Sequence, residues 1–336
     1  MNPKSKLLRG AVISAAAALV LTGLAACGGS DTDAGTSTKS VNLRLDFVHT
    51  GKDAIWTYGI EQGFFKDEGI DLKLDDGKGS ATTGQTVANG SDTFGMVDGG
   101  TMITLASRKV PLTAVAGVFG QSPLVVLSAK KAPITDPAQL KGKKVAVTAG
   151  DGPTTLFPAL LDANGVDKSD VTMVNMQPQA KLTSLLSGRV DAVATLGLVS
   201  VALEAKGTPT HLLAYKDFGV VTPGYYLVTS NGNLKSKAAL VQGFVKATQK
   251  SIAATVKDPD AAVASLVKYY PDSKEAVAKA ELAVMLPLIK SPATDGHPVG
   301  WMSPEVAEAA GTLLKKYGAL QSPAPVDGYL SNKFIK

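Results

Sequence analysis

Cysteine is almost missing from this chain, because Cys27 is the sole cysteine among 336 residues. A disulfide within the chain is therefore excluded, and a zinc–thiolate centre or a cysteine nucleophile in residues 41–336 is excluded as well. Histidine is nearly as scarce. Its three occurrences, His49, His211 and His297, lie far apart and form no His-x-x-x-His pair, so we predict no metal site.

Concentrated positive charge is also missing. The formal net charge is +5, but three of those units belong to Lys4, Lys6 and Arg9, which leaves +2 for the rest of the chain. The sequence has no long basic run and no basic stripe interleaved with aromatic residues. We therefore expect no binding to nucleic acid.

One apolar run is present, near the N-terminus, at residues 11–24. At about fourteen residues it is too short for a confident membrane span and suits the core of a signal peptide. It leads into Leu-Ala-Ala-Cys at residues 24–27, which resembles a bacterial lipobox. We predict a lipoprotein signal peptide at 1–26, lipidation of Cys27 with acyl chains such as palmitate, and a flexible tether at 27–40. The alternative is a secretory signal followed by an incidental cysteine.

Short apolar strand patterns alternate with helical patterns over residues 41–221. This alternation predicts an α/β fold with largely parallel sheets. The pattern restarts near residue 134 and becomes wholly helical after Thr229, with a single helix predicted over 235–257.

We therefore predict two lobes. Residues 41–126 and 227–336 form the first lobe, whose helical C-terminal segment completes it, and residues 127–226 form the second lobe together with the segments that cross between the lobes. A cleft between two such lobes is a favoured place for a small ligand, and two crossings make a hinge. The alternative is two independent domains with a helical cap.

Four segments together resemble one protein family. They are residues 60–72 (IEQGFFKDEGIDL), 87–95 (VANGSDTFG), 134–147 (ITDPAQLKGKKVAV) and 185–192 (LLSGRVDA). In this order they are similar to motifs of ABC-transporter solute-binding proteins of the nitrate/sulfonate/taurine and thiamine-pyrimidine-precursor group. Two departures occur: Gln139 stands where the family prefers Asp, and Asp92 is displaced by one position. The resemblance covers most of residues 41–230.

The resemblance implies a periplasmic-binding-protein-like type II clamp. It also implies a small-molecule ligand, an ABC permease with its ATPase as partners, no catalytic residue and no cofactor. We expect an exported monomer, held on the extracytoplasmic face of the cell membrane by its lipid. An enzyme of pyrimidine-precursor synthesis, which belongs to a related branch of the fold, and an adhesion or sensor lipoprotein are the alternatives.

Candidate ligand residues follow from the rule that open α/β sheets bind ligands beyond the carboxyl ends of their strands. Turns and crossings at those ends contain the predicted set: Phe47, His49, Asp53, Trp56, Ser80, Thr82, Asp98, Gly99, Thr101, Phe119, Gln121, Ser122, Asp151, Gly152, Thr154, Thr155, Thr195 and Tyr225. The turn at 150–155 lacks the lysine and glycine spacing of a phosphate loop, so a nucleotide is not expected.

Carboxylates and aromatic rings in this set favour a nitrogenous heterocycle such as a pyrimidine precursor, because acids accept N–H bonds and rings stack. Aliphatic sulfonates, taurine or nitrate are the alternative ligands. Asp53 and Asp98 could instead only cap helices, and Trp56 could belong to the core.

Overall fold

The computed structural model describes residues 38–149 and 151–336, and its strands form two separate sheets. The predicted signal peptide, most of the predicted tether and Cys27 lie outside the described residues. The strands of the first sheet are β1 (Lys39–Arg44), β2 (Ile70–Asp75), β3 (Phe94–Asp98), β4 (Leu112–Gly117) and β10 (Tyr225–Ser230). Those of the second are β5 (Leu124–Ala129), β6 (Lys144–Val147), β7 (Thr172–Asn175), β8 (Ala192–Leu196) and β9 (Thr210–Ala214).

The two sheets share one topology. The first has the order β2-β1-β3-β10-β4 and the second the order β7-β6-β8-β5-β9. In each sheet one strand is antiparallel to both of its neighbours, β10 in the first and β5 in the second. The remaining strands point the same way, so the predicted α/β fold class is confirmed, with one reversed strand in each sheet.

Helices cover the faces of both sheets. Before β10 they are α1 (Ala54–Glu61), α2 (Ser80–Ala88), α3 (Gly99–Ser107), α4 (Gly152–Ala163), α5 (Pro178–Leu186) and α6 (Val199–Glu204). The C-terminal segment adds α7 (Asn231–Ser236), α8 (Ala238–Lys257), α9 (Pro259–Tyr269), α10 (Glu275–Met285) and α11 (Pro304–Lys316). None of the helices in the described part of the chain is long and apolar enough to cross a membrane.

The single helix predicted over residues 235–257 is wrong. Ser230 caps a short helix by accepting a hydrogen bond from the Asn233 N–H, and Lys237 then leaves the helical conformation with φ −133° and ψ 34°. The second helix starts at Ala238 and buries an apolar face that includes Val241 and Phe244. Because of this break, α7 follows directly on strand β10, while α8 packs its apolar face against the first sheet.

Two chain segments connect the sheets, residues 118–123 between β4 and β5 and residues 215–224 between β9 and β10. We call them the crossing segments. The Ser122 N–H donates to the Thr222 carbonyl at 3.1 Å and so joins the two crossing segments, and the Val118 N–H donates to the carbonyl of Tyr225, at the start of β10, at 2.8 Å. A Cβ on Gly224 would lie 2.4 Å from the Phe119 carbonyl oxygen, so only glycine allows this approach.

The crossing segments join corresponding edges of the two sheets. Each leaves or enters the first sheet where β4 ends and β10 begins, and the second sheet where β9 ends and β5 begins. The carboxyl ends of the parallel strands of both sheets therefore face each other across the crossings. The turns at those ends are where the sequence predicts ligand contacts.

Candidate functional site

Polar side chains converge at the carboxyl edge of the first sheet. Asp46 follows β1, Asp98 ends β3, and Tyr225 begins the antiparallel strand β10, so all three lie at the same edge. Tyr225 and Asp98 are directly paired in the sheet register. Lys52 and Asp53, in the 3-10 helix that precedes α1, complete a group that we call the acidic cluster: Asp46, Lys52, Asp53, Asp98 and Tyr225.

Lys52 is the cation of the acidic cluster and is only 2% exposed. Its Nζ lies 2.9 Å from Asp46 Oδ1 and 2.9 Å from Asp53 Oδ2. Burial disfavours its charge, but the two carboxylates outweigh that cost and raise its pKa above the usual value. The ammonium therefore stays charged and neutralises part of the cluster.

Asp53 is fully buried in the acidic cluster. Oδ2 also accepts the Thr50 N–H at 2.9 Å, while Oδ1 has no hydrogen-bond partner among the described residues. Burial raises the pKa of Asp53, Lys52 opposes that effect, and the nearby Asp46 adds to it. This side chain therefore does more than cap a helix: it fixes the buried lysine.

Asp98 caps helix α3, because its Oδ1 accepts the Thr101 N–H at 3.0 Å, and its own N–H donates to Ser80 Oγ at 3.1 Å. It is half-buried. Burial is the largest cause that raises its pKa, hydrogen bonds from Thr101 and Ser80 oppose the rise, and the charge of Asp46 contributes to it. Asp98 therefore caps helix α3 and also carries a charge that burial disfavours.

Tyr225 contributes a buried aromatic ring and a phenol to the acidic cluster. Its ring lies 5.7 Å from Lys52 Nζ, and its phenol is buried beside the carboxylates of Asp46, Asp98 and Asp53. Burial, followed by these carboxylates, raises its pKa far above the usual value, so the hydroxyl stays protonated. Three carboxylates thus surround one ammonium and one phenol, and negative charge is in excess.

Two further groups border the acidic cluster. Glu281, on α10, accepts the Gly51 N–H at 2.7 Å, and burial raises its pKa. The His49 ring stacks on Tyr270 at 3.8 Å between centroids, and its Nδ1 lies 3.1 Å from Asp76 Oδ1. His49 is therefore held at the rim by aromatic and carboxylate neighbours.

In the second lobe, Asp151 is the central polar residue at the sheet edge. Its Oδ1 accepts the Thr154 N–H at 2.7 Å and caps α4, while its Oδ2 accepts from Lys181 Nζ at 2.9 Å. Lys181 is only 4% exposed and also donates to the Ala194 carbonyl at 2.9 Å. Asp151 is thus tied to a buried cation rather than free in a glycine loop.

The other predicted residues of the second lobe surround Asp151. Thr154 Oγ1 accepts the Thr148 N–H at 2.9 Å, so that hydroxyl already binds backbone. Thr155 is half-buried, Gly152 is exposed at the start of α4, and Thr195 is 7% exposed near the end of β8.

The first crossing segment carries three predicted residues with different surroundings. Phe119 is fully buried against Tyr225, with the two rings edge to face at 6.0 Å, and Gln121 is almost buried. Ser122 is half-buried, and its N–H binds the second crossing segment. These residues therefore belong to the hinge.

Trp56 lies in the core of the first lobe, which is the alternative that the sequence left open for it. Its side chain is fully buried and packs near Phe244, at 6.4 Å between ring centroids. Helical spacing after Asp53 turns it inward, away from the sheet edge. Phe47, in contrast, is 58% exposed on the loop after β1.

Of the remaining predicted residues, Gly99 is buried and its N–H donates to the Gly224 carbonyl at 2.6 Å, next to the hinge. The Thr101 N–H donates to the Asp98 carboxylate, which caps α3. Thr82 is exposed on α2 and makes no side-chain contact to the acidic cluster among the described residues.

Sequence reasoning left Asp46, Lys181 and Glu281 out of the predicted set and did not use Lys52 as a site residue. Asp46 had a usable signal, since it follows a strand by two positions. Glu281 had none, because it reaches Gly51 across 230 positions of sequence. Within residues 38–149 and 151–336, no group of three acidic, histidine or cysteine side chains is arranged to hold a metal ion.

Comparison with known proteins places this geometry in context. Residues 53–262 match the family model described as NMT1/THI5 like. The riboflavin-binding protein RibY of Chloroflexus aurantiacus is 20% identical, over 88% of this chain and 86% of its own. The formylaminopyrimidine-binding protein of Halalkalibacterium halodurans is 22% identical, over 94% and 96%.

Among solved structures, the periplasmic sulfonate-binding protein SsuA of Methylobacillus flagellatus superposes with a TM-score of 0.68 at 21% identity, over 89% of this chain and 93% of its own. The expected periplasmic-binding-protein-like fold is therefore confirmed. Because the family model spans more than half of the sequence, this chain belongs to the NMT1/THI5-like family.

Proposed function

We propose that this protein is the solute-binding component of an ABC importer, which captures a small organic solute between its two lobes. This proposal rests on two polar sheet edges that face each other across the hydrogen-bonded crossing segments. One edge contains Asp98, and the other contains Asp151. Ligands of open α/β sheets bind at such edges. The relatives named for riboflavin and formylaminopyrimidine binding support the same role.

The charge of the acidic cluster favours a nitrogenous solute that carries amino groups. Lys52 pairs with Asp46 and Asp53, Asp98 forms no ion pair among the described residues, and Asp53 Oδ1 has no hydrogen-bond partner there, so the site has unmet acceptor capacity in a poorly solvated place. A donor-rich heterocycle, such as a pyrimidine precursor, supplies N–H groups to these oxygens. The exposed ring of Phe47 is available to stack on it.

Sulfonates, taurine and nitrate are disfavoured by the same charges. An anion placed near Asp98 meets repulsion, and Lys52 is already engaged by two carboxylates at 2.9 Å. The likeness to a sulfonate-binding structure is a likeness of fold at 21% identity and carries no ligand with it. Catalysis has no support from a nucleophile–base pair in the acidic cluster, so we assign a binding role rather than an enzymatic one.

Residues proposed to contact the solute come from both lobes. In the first lobe we retain Phe47, His49, Asp53, Ser80, Asp98, Gly99, Thr101 and Tyr225 and add Asp46. In the second lobe and the first crossing segment we retain Gln121, Ser122, Asp151, Gly152, Thr154, Thr155 and Thr195.

Export and anchoring complete the proposal. Residues 1–26 act as a lipoprotein signal, and Cys27 receives the lipid that keeps the protein on the extracytoplasmic face of the membrane. There a monomer meets the permease and its ATPase. These features rest on sequence and on the extracytoplasmic placement implied by the relatives' role.

The test is a thermal-shift screen of pyrimidines, flavins, polyamines, sulfonates and nitrate, followed by calorimetry on each compound that raises the midpoint. We expect an amino-bearing heterocycle to bind with 1:1 stoichiometry. If only sulfonates or nitrate raise the midpoint, the ligand class is wrong. If no compound binds and native mass spectrometry of fresh protein shows no co-purified molecule, the capture role itself fails.

A further inference from the structure

The turn that follows strand β8 approaches helix α10 very closely. This turn, residues 197–198, belongs to the second lobe and α10 to the C-terminal segment. The Gly197 N–H donates to the Pro123 carbonyl at 2.8 Å, which holds the turn beside the first crossing segment. On its other side, a Cβ on Gly197 would lie 3.3 Å from Val284 Cγ1, closer than ordinary van der Waals contact.

The contact extends beyond this one pair. Leu198 packs against the apolar cluster of the first lobe that contains Met285 and Leu288. The segment after α10 is in turn bound to the hinge, because the Gly120 N–H donates to the Ile289 carbonyl at 3.1 Å. Helix α10 is therefore fixed relative to the crossing segments, and the turn of the second lobe rests on it.

We propose that Gly197 and Val284 form the stop that sets how far the two lobes close. This inference rests on the proposed clamp function. The stop lies beside the crossing segments, near the axis about which the lobes rotate, so a small change in its thickness becomes a larger change at the far rim of the cleft. Glycine at 197 gives the narrowest cleft, and a larger side chain leaves more room for a solute.

The same helix also reaches the acidic cluster. Glu281 lies three positions before Val284, on the same face of α10, and accepts the Gly51 N–H next to Lys52 and Asp53. A Cβ on Gly51 would lie 2.0 Å from the Ala278 carbonyl oxygen, so the loop is pressed directly onto the helix. The closing stop and the cation of the acidic cluster are thus supported by one rigid element.

The experiment is solution scattering of the full chain without added solute. Gly197 does not need a positive φ, so a side chain is compatible with its backbone. We expect a modest increase in radius of gyration for Gly197→Ala and a larger one for Gly197→Val. Val284→Ala combined with Gly197→Val returns the radius to the wild-type value, because the removed methyl groups restore the space.

Gly232→Val is the matched control, since a Cβ there would meet only Ser230 Oγ, at 3.7 Å, and its radius stays that of the wild type. An unchanged radius in Gly197→Val, or an increase that Val284→Ala does not reverse, overturns the proposal. If circular dichroism shows that Gly197→Val does not fold, the radius of Gly197→Ala, with and without Val284→Ala, tests the proposal instead. No solute is needed, so failure here is distinct from failure of solute binding.

Discussion

Asp98 and Tyr225 face each other as a register pair on adjacent antiparallel strands, β3 and β10, at the edge of the first sheet. One residue ends a strand and caps helix α3, and the other begins the strand that returns from the second lobe. The pair therefore joins the proposed solute site to the hinge. In the proposed clamp, a rotation at the hinge would therefore also move the charged groups around Asp98.

Replacement of Asp98 by Asn separates binding from stability. Asn keeps the size and the capping oxygen of Asp98 but removes a charge that burial disfavours. We expect the affinity for an amino-bearing solute to fall about ten- to a hundredfold, the value of a charged hydrogen bond. The unfolding midpoint at pH 7 should rise in the same variant.

The pH dependence follows from the sign of the shift. The pKa of Asp98 is raised in the folded state, so its contribution to stability is complete at pH values below its unfolded pKa and is lost as the pH rises through its folded pKa. The stability gained by Asp98→Asn should therefore grow with pH over that window. Urea titrations at several pH values measure it, and a gain that does not depend on pH contradicts the assignment.

Replacement of Lys52 by Met should be severely destabilising. It leaves Asp46 and Asp53 buried without their cation, a change that costs about 3–5 kcal/mol in comparable sites. Lys73, which is exposed and paired with Asp71 at 3.0 Å, provides the control, because an exposed pair contributes about 0–1 kcal/mol. Denaturant unfolding of Lys52→Met and Lys73→Met compares the two. Equal losses would show that the acidic cluster does not need its lysine.

Asp151 should be intolerant of truncation. Asp151→Ala removes both the cap of α4 and the partner of the buried Lys181, so stability falls and binding cannot be read alone. Asp151→Asn keeps the oxygen that accepts the Thr154 N–H but replaces the acceptor of Lys181 by an NH2 group, while Lys181 retains the Ala194 carbonyl as an acceptor. We expect the Asn variant to fold and to bind solute more weakly in calorimetry. Unchanged affinity in that variant would remove Asp151 from the proposed site.

Asp92 explains one family motif without involving the solute. It is 1% exposed, and both of its oxygens accept from the Arg44 guanidinium at 3.0 Å. Burial opposes its charge, but Arg44 and the other donors lower its pKa below the usual value. Its stabilising contribution is therefore present above the unfolded pKa and is lost as the pH falls through the folded pKa.

We accordingly expect Asp92→Asn to lower the unfolding midpoint at pH 7 and to make less difference in acid. Asp75, which lies 3.8 Å from the same guanidinium and whose side chain is 44% exposed, is the matched control, and Asp75→Asn should change little. Equal effects of the two variants at pH 7 would argue against a special role of the Asp92 pair.

Cys27→Ser tests the anchor. The serine variant should lose incorporation of labelled palmitate and should leave the membrane fraction, while it keeps the solute affinity of the wild type. Cell fractionation and metabolic labelling measure these outcomes. Persistent membrane association of the serine variant would favour an ordinary signal or a different attachment.

The sequence was sufficient to predict the α/β fold because strand and helix periodicities differ, and the restart of the alternation near residue 134 corresponds to the second sheet. The strand pattern also placed Asp98 at the end of β3 and Asp151 in the turn after β6. The sequence could not orient Trp56, because a residue one turn into an amphipathic helix faces either way until the partner surface is known. Glu281 and Lys181 could not be predicted as site residues from the sequence, because they reach the site from distant segments and have no local signal.

The position of β10 between β3 and β4 also has a consequence for biosynthesis. The Thr229 hydroxyl donates to the Thr93 carbonyl across 136 positions of sequence. All strands of the second sheet emerge before β10 is made, so that sheet is free to assemble while the first still has a gap. The proposed export through a translocon in extended form is compatible with this order, since the first sheet cannot finish folding until β10 has been made.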